Sequence, residues 1–118
     1  MIPVYYSRTG ITERCAKQFA GIHYSEYRGG EFVLFVPSYG APRTGDHVPK
    51  ELREWLEDHH TALRGIVGVG NRTFGPEFCA GAYELCEKYQ VPLVAAVDIL
   101  PTAKEQNIII NFLTEVVI

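Results

Sequence analysis

The sequence lacks a C-x-x-C pair, and its three cysteines, Cys15, Cys79 and Cys86, cannot all pair within one chain. A disulfide framework and a tetrahedral zinc site are therefore not expected. Each cysteine falls on the apolar stripe of an expected helix, as a small buried hydrophobe. None of the four histidines, His23, His47, His59 and His60, stands at metal-ligand spacing, so no metal is expected. No apolar run approaches the length of a membrane span, and the first residues lack the basic-then-apolar layout of a signal peptide. The expected compartment is the cytoplasm, with no membrane partner. A basic run is also missing and the formal charge is −3, which argues against nucleic acid as the principal partner. There is no repeat, linker or low-complexity stretch. What is there, 118 residues of which 47% are hydrophobic and 21% charged, makes one domain, residues 1–118, with a single core.

Short apolar runs alternate with helical stripes. Ile2 to Tyr6 reads as a first strand with Pro3 at its start. Ile11, Cys15, Phe19 and Ile22 share one face of a first helix. His23 to Gly30 reads as a brief edge strand. Phe32 to Val36 is a continuous β-branched and aromatic run ended by Pro37, as in a strand covered on both faces. Pro49 fits the first turn of a second helix whose Val48, Leu52, Trp55, Leu56 and His59 face inward, with Trp55 as core. Gly65 to Gly70 reads as a buried strand whose glycines admit a close neighbour. A third helix starts at Pro76, with Phe78, Ala82, Leu85, Cys86 and Tyr89 inward. Val91 to Val97 is the fifth strand. Thr102-Ala103-Lys104-Glu105 resembles a capping box opening a helix with Ile109, Phe112, Leu113 and Val116 inward. This alternation predicts an α/β doubly wound, five-stranded parallel sheet, order 2-1-3-4-5, with helices on both faces.

In that topology the loops after strands one, three and four meet at one sheet edge. The first, Tyr6-Ser7-Arg8-Thr9-Gly10-Ile11-Thr12, offers hydroxyl and backbone donors at a helix start. Taken alone it reads as a phosphate cradle or as an ordinary strand-to-helix turn with a Ser or Thr cap. It matches neither phosphate-loop fingerprint and carries no lysine, which suits a monophosphate that is held and not transferred. The other two loops, around Tyr39 and Phe74, offer aromatic faces beside glycine, suited to a flat heterocycle. FMN fits all three. No general acid, base or nucleophile stands out, so no catalytic residue is assigned.

Pro37-Ser38-Tyr39-Gly40, Val48-Pro49-Lys50, Gly70-Asn71-Arg72-Thr73-Phe74-Gly75 with Phe78-Cys79, and Gln90-Val91-Pro92 resemble the NrdI family, the small flavodoxin-like activators of class Ib ribonucleotide reductase. The resemblance implies FMN held by Ser7, Arg8, Thr9, Gly10, Ile11 and Thr12 around the phosphate. It implies Ser38, Tyr39, Gly40, Asn71, Arg72, Phe74, Gly75 and Phe78 around the ring. It further implies an electron-donor reductase, reduction of O2 at the flavin, and delivery of a superoxide-type oxidant to the dimanganese site of the reductase's small radical-bearing subunit. Flavodoxin-like turns usually read T-G-N-T, and here Ile11 stands at the asparagine position, with no side-chain donor. Gly40, and after it Gly45, is the peptide expected to turn toward the flavin on reduction. Arg8, Arg43 and Arg72 against Asp46 make the site loops positive in an acidic chain, which would ease the second reduction step relative to acidic electron carriers. A general one-electron carrier flavodoxin shares this fold and cofactor with other partners. A flavin-free α/β binding module would use the same edge for protein contacts.

Overall fold

The computed structural model describes residues 1–7, 10–37, 48–71 and 78–115. The strands are β1 (Ile2–Tyr5), β2 (Ile22–His23), β3 (Phe32–Pro37), β4 (Leu63–Gly70) and β5 (Leu93–Asp98). The helices are α1 (Ile11–Lys17), α2 (Lys50–His59), α3 (Ala80–Tyr89) and α4 (Ala103–Leu113). All strand pairs are parallel and the order is β2-β1-β3-β4-β5, as the alternation of runs implies.

Period-two alternation sorts the strand side chains into two layers. Val4, Phe32, Leu34, Val36 and Ile66 join Leu52, Leu56, Ala82 and Leu85 under α2 and α3. Tyr5, Val33, Phe35, Val67 and Val97 join Cys15, Ala16 and Ile109 under α1 and α4. Every residue of β3 is buried, which is why its sequence shows no polar alternation. Consecutive tyrosines at the end of β1 split between the layers. The Tyr5 phenol donates to Glu13 of α1 at 3.0 Å, and the Tyr6 phenol donates to Glu51 of α2. Burial, then the Glu13 carboxylate, pushes the Tyr5 pKa upward.

Beyond shifts of one or two residues at the ends of β1, β3, β4 and β5, three boundaries differ from the periodicity reading. The first helix stops at Lys17, because Ala20 turns left-handed (φ 59°) and the Gly21 N–H bonds back to the Ala16 carbonyl at 2.9 Å. Ile22 therefore belongs to β2, and the brief edge strand expected over His23 to Gly30 is the Ile22–His23 pair followed by a 3-10 turn at Tyr24–Glu26. Ile11 is 43% exposed, so the buried stripe of α1 is Thr12, Cys15 and Ala16. Third, α3 begins at Ala80, with Cys79 left-handed at its cap (φ 57°), so Phe78 precedes the helix. Pro76 lies outside the described residues, as does Val116.

Other local readings hold. Thr102 Oγ1 accepts from the Glu105 N–H at 3.2 Å and Glu105 Oε1 accepts from the Thr102 N–H at 2.9 Å, a complete capping box. A Cβ on Gly68 would stand 2.8 Å from Ala82 Cβ, so α3 approaches β4 as closely as the glycine allows. Cys15 and Cys79 are buried and Cys86 half-buried, although Cys79 caps α3 and does not lie on its stripe. Burial, with the Glu105 carboxylate adding, pushes the Cys15 thiol up to about 12, and burial pushes Cys86 up to about 11. In the folded protein at mildly alkaline pH, both thiols should resist iodoacetamide, Cys86 reacting ahead of Cys15, and both should react once urea unfolds the chain. Rapid alkylation of Cys15 in the native state, read by mass spectrometry, would contradict this.

Candidate functional site

Because all strands are parallel, their C-terminal ends share one edge. That edge carries Tyr6 and Ser7 after β1, Asn71 after β4 and Ile99 after β5. The switch point lies between β1 and β3, where the chain turns to α1 on one face and α2 on the other.

The turn from β1 into α1 is the described part of the expected phosphate cradle. Gly10 caps α1 in the left-handed region (φ 89°, ψ −8°), and its N–H donates to Ser7 Oγ at 3.0 Å. A Cβ there would meet nothing within 4 Å, so the backbone conformation and not crowding calls for glycine. Helical bonding begins with the Arg14 N–H on the Gly10 carbonyl at 3.0 Å, and the preceding first-turn N–H groups have no acceptor inside the helix. Thr12 is 2% exposed, and among the described residues its hydroxyl has no hydrogen-bond partner. The Ser7 hydroxyl keeps its own hydrogen for an outside acceptor. This donor set, a buried hydroxyl without a partner beside an open glycine, fits a phosphate monoester. Glu13, the acidic group of the first turn, is directed to the Tyr5 phenol.

Asn71 and Phe78 bracket the segment after β4. Phe78 packs on the backbone of Gly70, where a Cβ would lie 3.3 Å from Phe78 Cδ2. Thus Ser7, Gly10, Ile11 and Thr12 stand together at one turn, and Asn71 and Phe78 stand at the end of β4 and the approach to α3. Arg8, Thr9, Ser38, Tyr39, Gly40, Arg72, Phe74 and Gly75 lie outside the described residues, as do Arg43, Gly45 and Asp46.

Sequence reasoning left two features of this edge unassigned. One is the Tyr6–Glu51 pair beneath it. The other is the turn after β5, where Ile99 is held at φ 66° while the Leu100 N–H bonds the Asp98 carbonyl at 2.7 Å, a γ-turn around a β-branched residue. Ile99 and Leu100 are 40% and 39% exposed, and the Ile99 N–H bonds the Gly70 carbonyl at 2.8 Å. Two consecutive apolar residues just before Pro101 were the available signal. Among the described residues no cluster of His, Cys, Asp or Glu could hold a metal, and no helix is long and apolar enough to cross a membrane.

Comparison with known proteins gives this geometry a context. A short-chain flavodoxin associated with a PDU bacterial microcompartment superposes with a TM-score of 0.61, covering 95% of this chain and 94% of that one at 16% identity. It shares the fold. Protein NrdI of Cronobacter sakazakii is 34% identical over 76 residues, covering 63% of this chain and 57% of that protein. Protein NrdI of Erwinia tasmaniensis is 31% identical over 86 residues, covering 71% of this chain and 63% of that protein. The chain thus spans somewhat more than half the length of the curated relatives it matches. The family model described as NrdI flavodoxin-like matches residues 4–111, nearly the whole described sheet and all four helix starts. The chain belongs to the NrdI flavodoxin-like family.

Proposed function

We propose that residues 1–118 form one FMN-binding redox domain serving class Ib ribonucleotide reductase, with an electron-donor reductase upstream and the small radical-bearing subunit downstream. The observation that carries the reading is the β1–α1 turn of a family member, where Thr12 presents a buried hydroxyl with no partner among the described residues, beside the open Gly10. Family membership supports the flavin and the reductase partner. In this reading, bound flavin supplies electrons that reduce O2 to a superoxide-type oxidant for the dimanganese site. The protein's own part is to bind, orient and shield. Ser7, Gly10, Thr12 and the first-turn N–H groups hold the phosphate, with Arg8 and Thr9. Ser38, Tyr39, Gly40, Asn71, Arg72, Phe74, Gly75 and Phe78 surround the ring.

The absorption spectrum of the purified protein, before and after FMN is added, tests the cofactor. A bound-flavin spectrum is expected, followed by O2 uptake on anaerobic reduction and re-aeration, and by co-purification with the small reductase subunit. No binding at excess FMN overturns the reading. Flavin binding with electron delivery to many acceptors, and no association with that subunit, overturns the partner assignment in favour of a general carrier.

Ile11 offers a gain-of-affinity test. Its side chain is 43% exposed at the first helical position, so replacement removes little packing. Ile11→Asn adds a side-chain donor at the phosphate and should tighten FMN binding by about 1 kcal/mol, about fivefold in Kd. Quenching of flavin fluorescence during titration reads the change, and an unchanged Kd would place the phosphate away from position 11.

A further inference from the structure

Among the described residues, ring contacts lead away from the sheet's C-terminal edge through Tyr24, which is entered from Tyr6 directly and from Tyr5 by way of His23. Tyr6, one residue before Ser7, is 5% exposed, and its phenol donates to the Glu51 carboxylate. Tyr6 and Tyr24 have ring centroids 5.4 Å apart, and Tyr24 meets Trp55 edge-on at 5.8 Å. Trp55 is half-buried on α2 and stacks on His59 at 4.4 Å. Tyrosine and tryptophan are the side chains that most readily yield one electron to a radical oxidant, and an oxidised phenol must also shed its proton. Glu51 is placed to take it. Packing alone would be met by phenylalanine at positions 6 and 24. The phenols, and the carboxylate facing one of them, add redox capacity.

We propose that Tyr6, Tyr24 and Trp55 form a relay that passes oxidising equivalents between the candidate site and the half-buried face of α2, with Glu51 holding the Tyr6 proton. The oxidant it answers to, an oxygen-derived radical such as hydroperoxyl, comes with the flavin reading above. Tyr6 gives one electron to that radical, which takes a proton from water and leaves as hydrogen peroxide, while the phenolic proton moves to Glu51. The Tyr6 radical then regains an electron from Trp55 by way of Tyr24 and its proton from Glu51, and the Trp55 indole N–H releases a proton to water. Tyrosine and tryptophan lose an electron at similar cost, so the hole is shared along the path. A small thiol in solution returns one electron and one proton to Trp55 and leaves as its thiyl radical.

Pulse radiolysis with azide radical tests the relay on the whole chain and runs the path in reverse. Trp55 is the chain's one tryptophan, so its radical gives an unmixed absorption. Tyr27 also meets Trp55, at 5.5 Å, and a Tyr27→Phe background removes that branch. The expected result is first-order conversion of tryptophanyl to tyrosyl absorption at a rate independent of protein concentration. Adding Tyr24→Phe, or Glu51→Gln at the surface, should slow it by about tenfold or more, the barrier change expected when a bridging ring or a charged acceptor is lost. Conversion as fast in both folded variants as in the background overturns the relay. Azide radical loads the path at Trp55 without any flavin, so the measurement holds whether or not FMN binds, and its failure leaves FMN binding intact.

Discussion

Thr12→Val should raise the stability of the flavin-free protein and weaken FMN binding at the same time. The Thr12 hydroxyl is 2% exposed and has no hydrogen-bond partner among the described residues. A buried, unsatisfied hydroxyl costs about 1–3 kcal/mol, and valine keeps the β-branched shape while removing it. Helix propensity changes little between the two residues. If the hydroxyl donates to a phosphate, the loss is that of a hydrogen bond to a charged group, about tenfold or more in Kd. The two signs appear in one experiment. Urea unfolding without FMN should shift to higher denaturant, while the added stability from saturating FMN should shrink, because ligand stabilisation follows the ratio of free ligand to Kd. A valine variant less stable without FMN would mean that the hydroxyl already has a partner. An unchanged Kd would remove Thr12 from the phosphate site.

Phe35→Ala should cost about 3–5 kcal/mol, a large share of the roughly 5–15 kcal/mol that holds a domain of this kind. Phe35 is 0% exposed on the central strand β3, paired with Tyr5 of β1 and Val67 of β4. Its ring lies 5.8 Å from that of Phe19, beyond the end of α1. Neighbours on both sides are fixed by strand bonding, so the cavity cannot close by a shift of one side chain. Tyr83, 53% exposed on α3, provides the contrast. Its replacement by alanine should stay within about 0.5 kcal/mol. Denaturant midpoints at equal slope measure both, and a Phe35→Ala loss comparable to that of Tyr83→Ala would contradict the burial of this layer.

The sequence disclosed features whose cause is local and hid those made by distant partners. The capping box at Thr102 and Glu105 was legible because the residues that bond are three apart. Likewise β3 was legible because burial on both faces leaves an unbroken apolar run, and the parallel order followed from the alternation of such runs with helical stripes. The end of α1 was not. Ile22 keeps helical spacing from Phe19, and nothing in alanine marks Ala20 as the left-handed residue that ends the helix. Ile11 looked like a stripe residue for the same reason, although the turn places it outward. Of the candidate site, the left-handed helix cap at Gly10 was legible from its glycine. The Tyr6–Glu51 pair was not, since its members stand 45 positions apart and meet only when α2 folds over the edge.

Those two tyrosines at the end of β1 bear on how the molecule comes apart. Tyr5 is tied to α1 and Tyr6 to α2, so this dipeptide adds a polar fastening between hydrophobic layers that β1, β3 and β4 already join by feeding alternate residues to both. Loosening either layer disturbs the backbone that orients the other, and the Tyr6 N–H is itself bonded to the Phe35 carbonyl of the central strand. Melting is then a cooperative event across the sheet, in which neither layer survives as a separate unit.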